Sequence, residues 1–201
     1  MADRSFRMIP VDAEISIRPL RAADLEAYKV LRDRMLEAYP EAFTSDADEE
    51  RGRSAASYGT RIGIGLDGSE THDGSAILGA FARDIVDDEV LVGCVCALRE
   101  TRRKARHLMD IVGLMVDPVA RRRGTGAALL EAAVAHARSV PGIARLTLSV
   151  TAGNERATRL YERAGFTVHG RLKDAIRVGD RRLTKLLMTL PLDGEPAATI
   201  W

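Results

Sequence analysis

Over residues 14–18 apolar and polar positions alternate, Glu-Ile-Ser-Ile-Arg, which predicts a short strand ended by Pro19. From 23 to about 39 the period changes: Leu25, Tyr28, Leu31 and Met35 step by three and four, one face of a helix that stops near Pro40. The acidic run 46–50 can open a second helix, because carboxylates favour a helix N-terminus, with the glycines at 59, 63 and 65 limiting its reach. Residues 66–75 are polar and aperiodic, a surface loop. Three strand-like runs follow at 76–83, 90–98 and 108–116, and their connections are too short for crossover helices, so they predict an antiparallel meander.

Beyond Pro118 a helical pattern over 125–140 sets Leu130, Val134 and Ala137 on one face and is broken by Pro141-Gly142. The run Leu-Thr-Leu-Ser-Val at 146–150 suits a strand; reached through a helix, it should lie parallel to the strand ending at Val116. A further helix over 154–164 carries Ala157, Leu160, Tyr161 and Ala164 at helical spacing and ends at Gly165. Strands at 166–176 and 183–190 flank a hairpin turn at 178–181. These elements predict one α/β domain over 14–192: a mixed, mostly antiparallel sheet of about seven strands with about four flanking helices, preceded by a loose leader (1–13) and followed by a tail (193–201).

Composition narrows the function classes. The chain is 46% hydrophobic and 29% charged, an ordinary globular balance, and no apolar run approaches the roughly 18 residues of a membrane span. The first residues lack the apolar core of a secretory signal, which points to the cytoplasm. A formal net charge of +1 gives no overall attraction to nucleic acid. The basic stretch 102–106 is then a solvated hairpin tip, or a local contact for nucleic acid or another phosphate. Of the 30 basic residues only Lys29, Lys104, Lys173 and Lys185 are lysines, so a single arginine is no sign of function by itself. Cys94 and Cys96 share one face of a strand without the spacing of a redox or metal pair; core packing explains them, and no metal is expected.

The chemically informative stretch is the strand ending Val116-Asp117-Pro118, then Arg121-Arg122-Arg123-Gly124-Thr125-Gly126-Ala127 entering a helix. Two glycines let the backbone approach a ligand, and the free N–H groups of the first helical turn favour an anion such as a pyrophosphate. A plain strand-to-helix turn with solvated arginines would use the same glycines. The third glycine of a dinucleotide fingerprint and the lysine of a P-loop are both missing.

Arg121-x-x-Gly124-x-Gly126 resembles the (Gln/Arg)-x-x-Gly-x-(Gly/Ala) motif of the GNAT acetyltransferases. Asn154, Ala157 and Leu160-Tyr161-Glu162-Arg163-Ala164-Gly165-Phe166 are similar to that family's N-x-x-A-x-x-L-Y-E-x-x-G-F segment, at the family's separation. Pro40-Glu41-Ala42-Phe43 resembles a loop that borders the acceptor site in some bacterial members, and also reads as a helix stop with one buried Phe. The resemblance implies a GNAT-like acyl-CoA N-acyltransferase fold over about 14–192 and acetyl-CoA as donor to a primary amine. It implies that the backbone of Leu114, Met115 and Val116 pairs with the pantetheine arm. The turn from Arg121, with the amides of Arg122, Arg123, Gly124, Thr125, Gly126 and Ala127, would hold the pyrophosphate. Asn154 would contact the cofactor or brace the strands, although it is also a good helix N-cap. Homodimers are common in the family, and Trp201 is one apolar residue that could serve such a contact.

An acceptor amine with a pKa near 10.4 is about one part in a thousand neutral at pH 7, so a proton must be removed before attack. Asp110, eleven residues before Arg121, stands where family members carry an acidic base; set in an apolar strand it would have a raised pKa, or it is a strand-edge Asp in solvent. Glu100, His107 and a solvent relay are the alternatives. Tyr161 stands at the family's general acid, its reference pKa near 10 within reach of a thiol near 8.5, and it would also pack as a core residue. Two other classes share these residues: a non-catalytic acyl-CoA-binding module, which needs the turn but not Tyr161 or Asp110, and a nucleic-acid binder using 102–106.

Overall fold

The computed structural model describes residues 8–10, 12–64 and 73–192. Most of the surface loop expected at 66–75, the ends of the leader and tail, and Trp201 lie outside the described residues. Among the described residues seven strands form one sheet: β1 (Ile15–Pro19), β2 (Ala76–Arg83), β3 (Glu89–Arg99), β4 (Leu108–Val116), β5 (Arg145–Thr151), β6 (Thr167–Val178) and β7 (Arg181–Pro191), in the order β1-β2-β3-β4-β5-β7-β6. Every neighbouring pair is antiparallel except β4 and β5, which are joined through a helix as the crossover requires. Pro19 closes β1 on the sheet edge, where its missing N–H costs no ladder bond.

Among the described residues there are four α-helices: α1 (Leu25–Ala38), α2 (Ala47–Arg51), α3 (Thr125–Ser139) and α4 (Glu155–Arg163). The first residues of the expected first helix instead form a 3-10 turn at Ala22–Asp24. Asp46 caps α2, its carboxylate accepting the N–H groups of Asp48 (2.9 Å) and Glu49 (3.2 Å), and a 3-10 segment Ala55–Ile62 follows, ended by left-handed Gly63. None of the described helices is long and apolar enough to cross a membrane.

The sheet separates two cores. On one side α3 and α4 bury Leu129, Leu130, Ala133, Tyr161 and Phe166 against Met109, Ile111, Leu146 and Leu148. On the other, α1 lays Tyr28, Leu31 and Met35 on Cys94, Cys96 and Met115, so both cysteines are core residues. Burying each such large side chain contributes about 1.5–3 kcal/mol, and Leu31→Ala would cost about 2–5 kcal/mol. Part of the segment read as a leader packs on the domain: Ile9 and Ala13 touch the first core, and the Ile85 N–H donates to Met8 (3.2 Å).

One irregularity shapes the site. Cys94 pairs with Met115 but Cys96 with Val112, so β4 carries an extra residue against β3, at Gly113 in the left-handed region (φ 61°). A Cβ there would meet only ordinary contacts, the nearest at 3.7 Å, so the backbone angle and not space calls for glycine. The bulge bends β4 and swaps its faces: Met109 and Ile111 face α3, while beyond Gly113 it is Leu114 and Val116 that pack there. β4 and β5 are paired only from Leu108↔Arg145 to Asp110↔Thr147, whereas β5 stays paired with β7 along its whole length. Past Thr147 the two parallel strands part, leaving a wedge.

Candidate functional site

The wedge opens toward the turn that starts α3. Asp117 closes β4: its N–H donates to Val92 (2.8 Å) and its carboxylate caps Val119 (3.1 Å) and pairs with Arg34 of α1. Left-handed Arg122 (φ 64°) and Gly124 (φ 77°) then curl the chain tightly before α3 begins at Thr125, whose hydroxyl donates to Ala120 (2.8 Å). The N–H groups at Thr125, Gly126 and Ala127 have no helical carbonyl ahead of them and carry the positive end of the α3 dipole. A Cβ on Gly126 would lie 3.6 Å from Leu160 and 3.7 Å from Val116. That contact brings the glycine turn, the end of β4 and α4 together, although the two sequence motifs lie some thirty residues apart.

The three arginines of the turn diverge. Arg122 is exposed; Arg123 Nη2 donates to the Pro10 carbonyl (2.5 Å). Arg121 turns back over the end of β4, Nε donating to the Val116 carbonyl (3.1 Å) and Nη1 to the Tyr39 hydroxyl (2.7 Å), its guanidinium 4.6 Å above the Tyr39 ring. One of the carbonyls expected to meet a pantetheine arm is thereby engaged by the protein.

In α4 the side chain of Asn154 accepts the Ala157 N–H (3.2 Å), the N-cap the sequence allows. Tyr161 is 9% exposed, its ring edge-on to Phe166 at 6.1 Å, and burial pushes its phenol up to about 12. That departs from the reference value near 10: the phenol stays neutral throughout the physiological range and is not matched to a thiol as an acid.

On the opposite face of the sheet, Asp110 accepts a hydrogen bond from the Thr147 hydroxyl and is exposed. It is not enclosed in the apolar strand as expected: its neighbours across the sheet are Leu98 of β3 and the polar Thr147 of β5, and the carboxylate reaches solvent. Glu100 is half-buried, and the Arg102 side chain (2.6 Å), with the Arg102 N–H, holds its carboxyl at about 2, which makes it a poor base. His107 is exposed at the start of β4, its carbonyl taking the N–H groups of Ala144 (2.9 Å) and Arg145 (3.2 Å). Neither residue joins Leu114 to Val116 at the wedge.

The segment 39–45 forms the wall above this face, held at every step. Glu41 accepts from Thr151 through its carbonyl (2.7 Å) and from Arg181 through its carboxylate; Thr44 meets Lys185 Nζ (2.5 Å); Ser45 accepts from Arg32 (2.7 Å). Arg32 is buried and pairs with buried Glu50 (3.0 Å), which also accepts from Tyr58 (2.5 Å). Burial alone would raise the Glu50 carboxyl, but the hydrogen bonds from Arg32 and Tyr58 outweigh it and hold it below the usual range. The acidic cluster 46–50 thus divides into a helix cap and a structural ion pair. Sequence reasoning missed this network and Lys185, whose partners Thr44 and Ser149 are far away along the chain. Gly113, inside a strand pattern, was the legible signal for the bulge.

Comparison with known proteins bears on the fold and the family. Residues 30–166 match the model of the acetyltransferase (GNAT) family. A mycothiol acetyltransferase of Propionibacterium freudenreichii is 42% identical over 59 residues, 29% of this chain and 19% of that protein, so the chain spans about a fifth of its length. Among solved structures, a GNAT acetyltransferase from Streptococcus pneumoniae superposes with a TM-score of 0.71 at 22% identity, covering 89% of this chain and 99% of that one. Salmonella typhimurium yncA, solved with acetyl-CoA, gives 0.71 at 21% over 92% and 97%. A Sinorhizobium meliloti phosphinothricin acetyltransferase in complex with acetyl-CoA gives 0.71 at 20% over 93% and 95%. These structural likenesses carry the fold, and the family match over residues 30–166 carries the membership: this chain belongs to the GNAT family of acetyltransferases.

Proposed function

We propose that this chain transfers the acetyl group of acetyl-CoA to a primary amine by direct attack within a ternary complex. The observation that carries this reading is the wedge between β4 and β5, which opens straight onto the N-terminal turn of α3. A pyrophosphate fits the turn, because left-handed backbone at Arg122 and Gly124 and the free N–H groups at 125–127 suit an anion. A pantetheine arm fits the freed edge of β4 at Leu114, Met115 and Val116, where backbone groups no longer face β5. For it to take the Val116 carbonyl, Arg121 must swing away from that oxygen.

Bound there, acetyl-CoA supplies an activated thioester: the amine nitrogen forms a bond to the acetyl carbon, and the carbon–sulfur bond breaks to leave a thiolate. The protein handles the protons and the charge. Asp110, on the acceptor face beside the head of the wedge, takes the amine proton directly or through a water. Backbone N–H groups of β4 near the bulge stabilise the developing oxyanion with little reorganisation. Tyr161, neutral at the operating pH, donates to the departing sulfur.

The test is CoA release from acetyl-CoA in the presence of a panel of primary amines. Turnover with at least one amine supports the reading. Acetyl-CoA binding without turnover across amino acids, polyamines, peptides and aminoglycosides would favour a non-catalytic acyl-CoA-binding module.

A further inference from the structure

Lys185 is the lysine that the proposed reaction leaves unexplained. It is 9% exposed, and its Nζ meets only hydroxyls, Thr44 Oγ1 at 2.5 Å and Ser149 Oγ at 3.4 Å. Among the described residues it forms no ion pair, whereas the other buried cation under this wall, Arg32, has Glu50. An ammonium covered without a counter-charge is costly, and burial lowers its pKa accordingly. The packing provides two hydroxyl oxygens and leaves the charge to be matched from elsewhere.

Its position says by what. In β5, Leu146, Leu148 and Val150 face the α3 core, so Thr147, Ser149 and Thr151 point to the acceptor face, which Lys185 shares through its pairing with Thr151. Thr147 holds the Asp110 carboxylate and Ser149 touches the Lys185 ammonium. Two residues of strand separate those hydroxyl-bearing positions by about 7 Å. An anion and a cation therefore stand on one polar strip, each against one of these two hydroxyl-bearing positions, near the point where β4 and β5 part. In an α-amino acid the nitrogen and carboxyl carbon are about 2.5 Å apart, and a hydrogen bond of about 2.8 Å at each end spans a gap of that order.

We infer that Lys185, with Thr44 and Ser149, forms a subsite for a carboxylate of the acceptor, and that the acceptor is an α-amino acid whose amine is directed to Asp110. This rests on the acetyltransfer reading and specifies its substrate class. In a chain that uses arginine almost everywhere, a compact lysine suits a site already flanked by two hydroxyls.

The test titrates the protein amino acids and their carboxamides into the full chain saturated with CoA, by calorimetry. The inference expects at least one amino acid to bind at least tenfold more tightly than its neutral carboxamide. In Lys185→Met that discrimination should collapse, the acid weakening to the level of the amide, and Lys185→Arg should restore part of it; a thermal melt shows whether each variant is folded. Equal binding of acid and amide by the parent protein, which needs no variant, overturns the inference. So does the absence of amino-acid binding in a chain that binds acetyl-CoA, or an equal loss of both ligands in Lys185→Met. Failure to bind acetyl-CoA at all would instead overturn the reading beneath it, and this inference with it.

Discussion

The two sides of the wedge are built by different means. The side proposed for the cofactor relies on backbone: left-handed Arg122 and Gly124, the first turn of α3 and the bulged edge of β4. Side chains there do secondary work, Asn154 as a cap and Arg121 as a tie to Tyr39. The side proposed for the acceptor relies on side chains gathered from distant parts of the chain: Arg32, Glu50 and Tyr58 beneath the 39–45 wall, and Asp110, Thr147, Ser149 and Lys185 on the sheet. Backbone sites tolerate wide sequence change as long as glycines hold the angles, while side-chain sites change with each substitution. One fold can therefore keep its donor and vary its acceptor.

The largest effect expected from this contrast is on stability. Glu50→Ala strands the buried Arg32 guanidinium and should cost about 3–5 kcal/mol, enough to lower the melting temperature by roughly 10 °C. A thermal melt checks it; a change within 1 °C would mean that the wall does not depend on this pair. Next, Tyr161→Phe should lower kcat on the order of 100-fold and leave acetyl-CoA affinity nearly intact, since the ring packing against Phe166 survives. An equal loss in binding would make Tyr161 a packing residue first. The smallest effect is a pH dependence. The Tyr161 phenol titrates at about 12 when folded and near 10 when unfolded, so between those values the native state holds more protons and loses stability as pH rises. The stability difference between parent and Tyr161→Phe should be flat below pH 10 and shift against the parent above it.

The same contrast explains what could be read along the chain. The 125–140 helix was legible because glycines and Pro141-Gly142 bracket it, and the observed α3 ends one residue earlier. The tight turn at 121–126 was legible because left-handed backbone leaves glycines behind. The parallel β4–β5 pair followed from the helical crossover between them. For Asp110 the exposed alternative holds: Met109 and Ile111 are its neighbours in sequence and point to the core, whereas on its own face it lies between Leu98 and Thr147 and reaches solvent. Lys185 had no local signature at all. Its meaning depends on the pairing of β7 with β5 and on Thr44, 141 residues away.

The most direct test of the central claim is a calorimetric titration of acetyl-CoA into the parent chain and Gly126→Glu. Gly126 faces Leu160 and Val116 at the mouth of the wedge, so the substitution puts bulk and a negative charge where a pyrophosphate would lie. The account predicts micromolar binding by the parent and a loss of about 100-fold or more, near 3 kcal/mol, in the variant. No binding by folded parent protein, or equal binding by a folded variant, would contradict it.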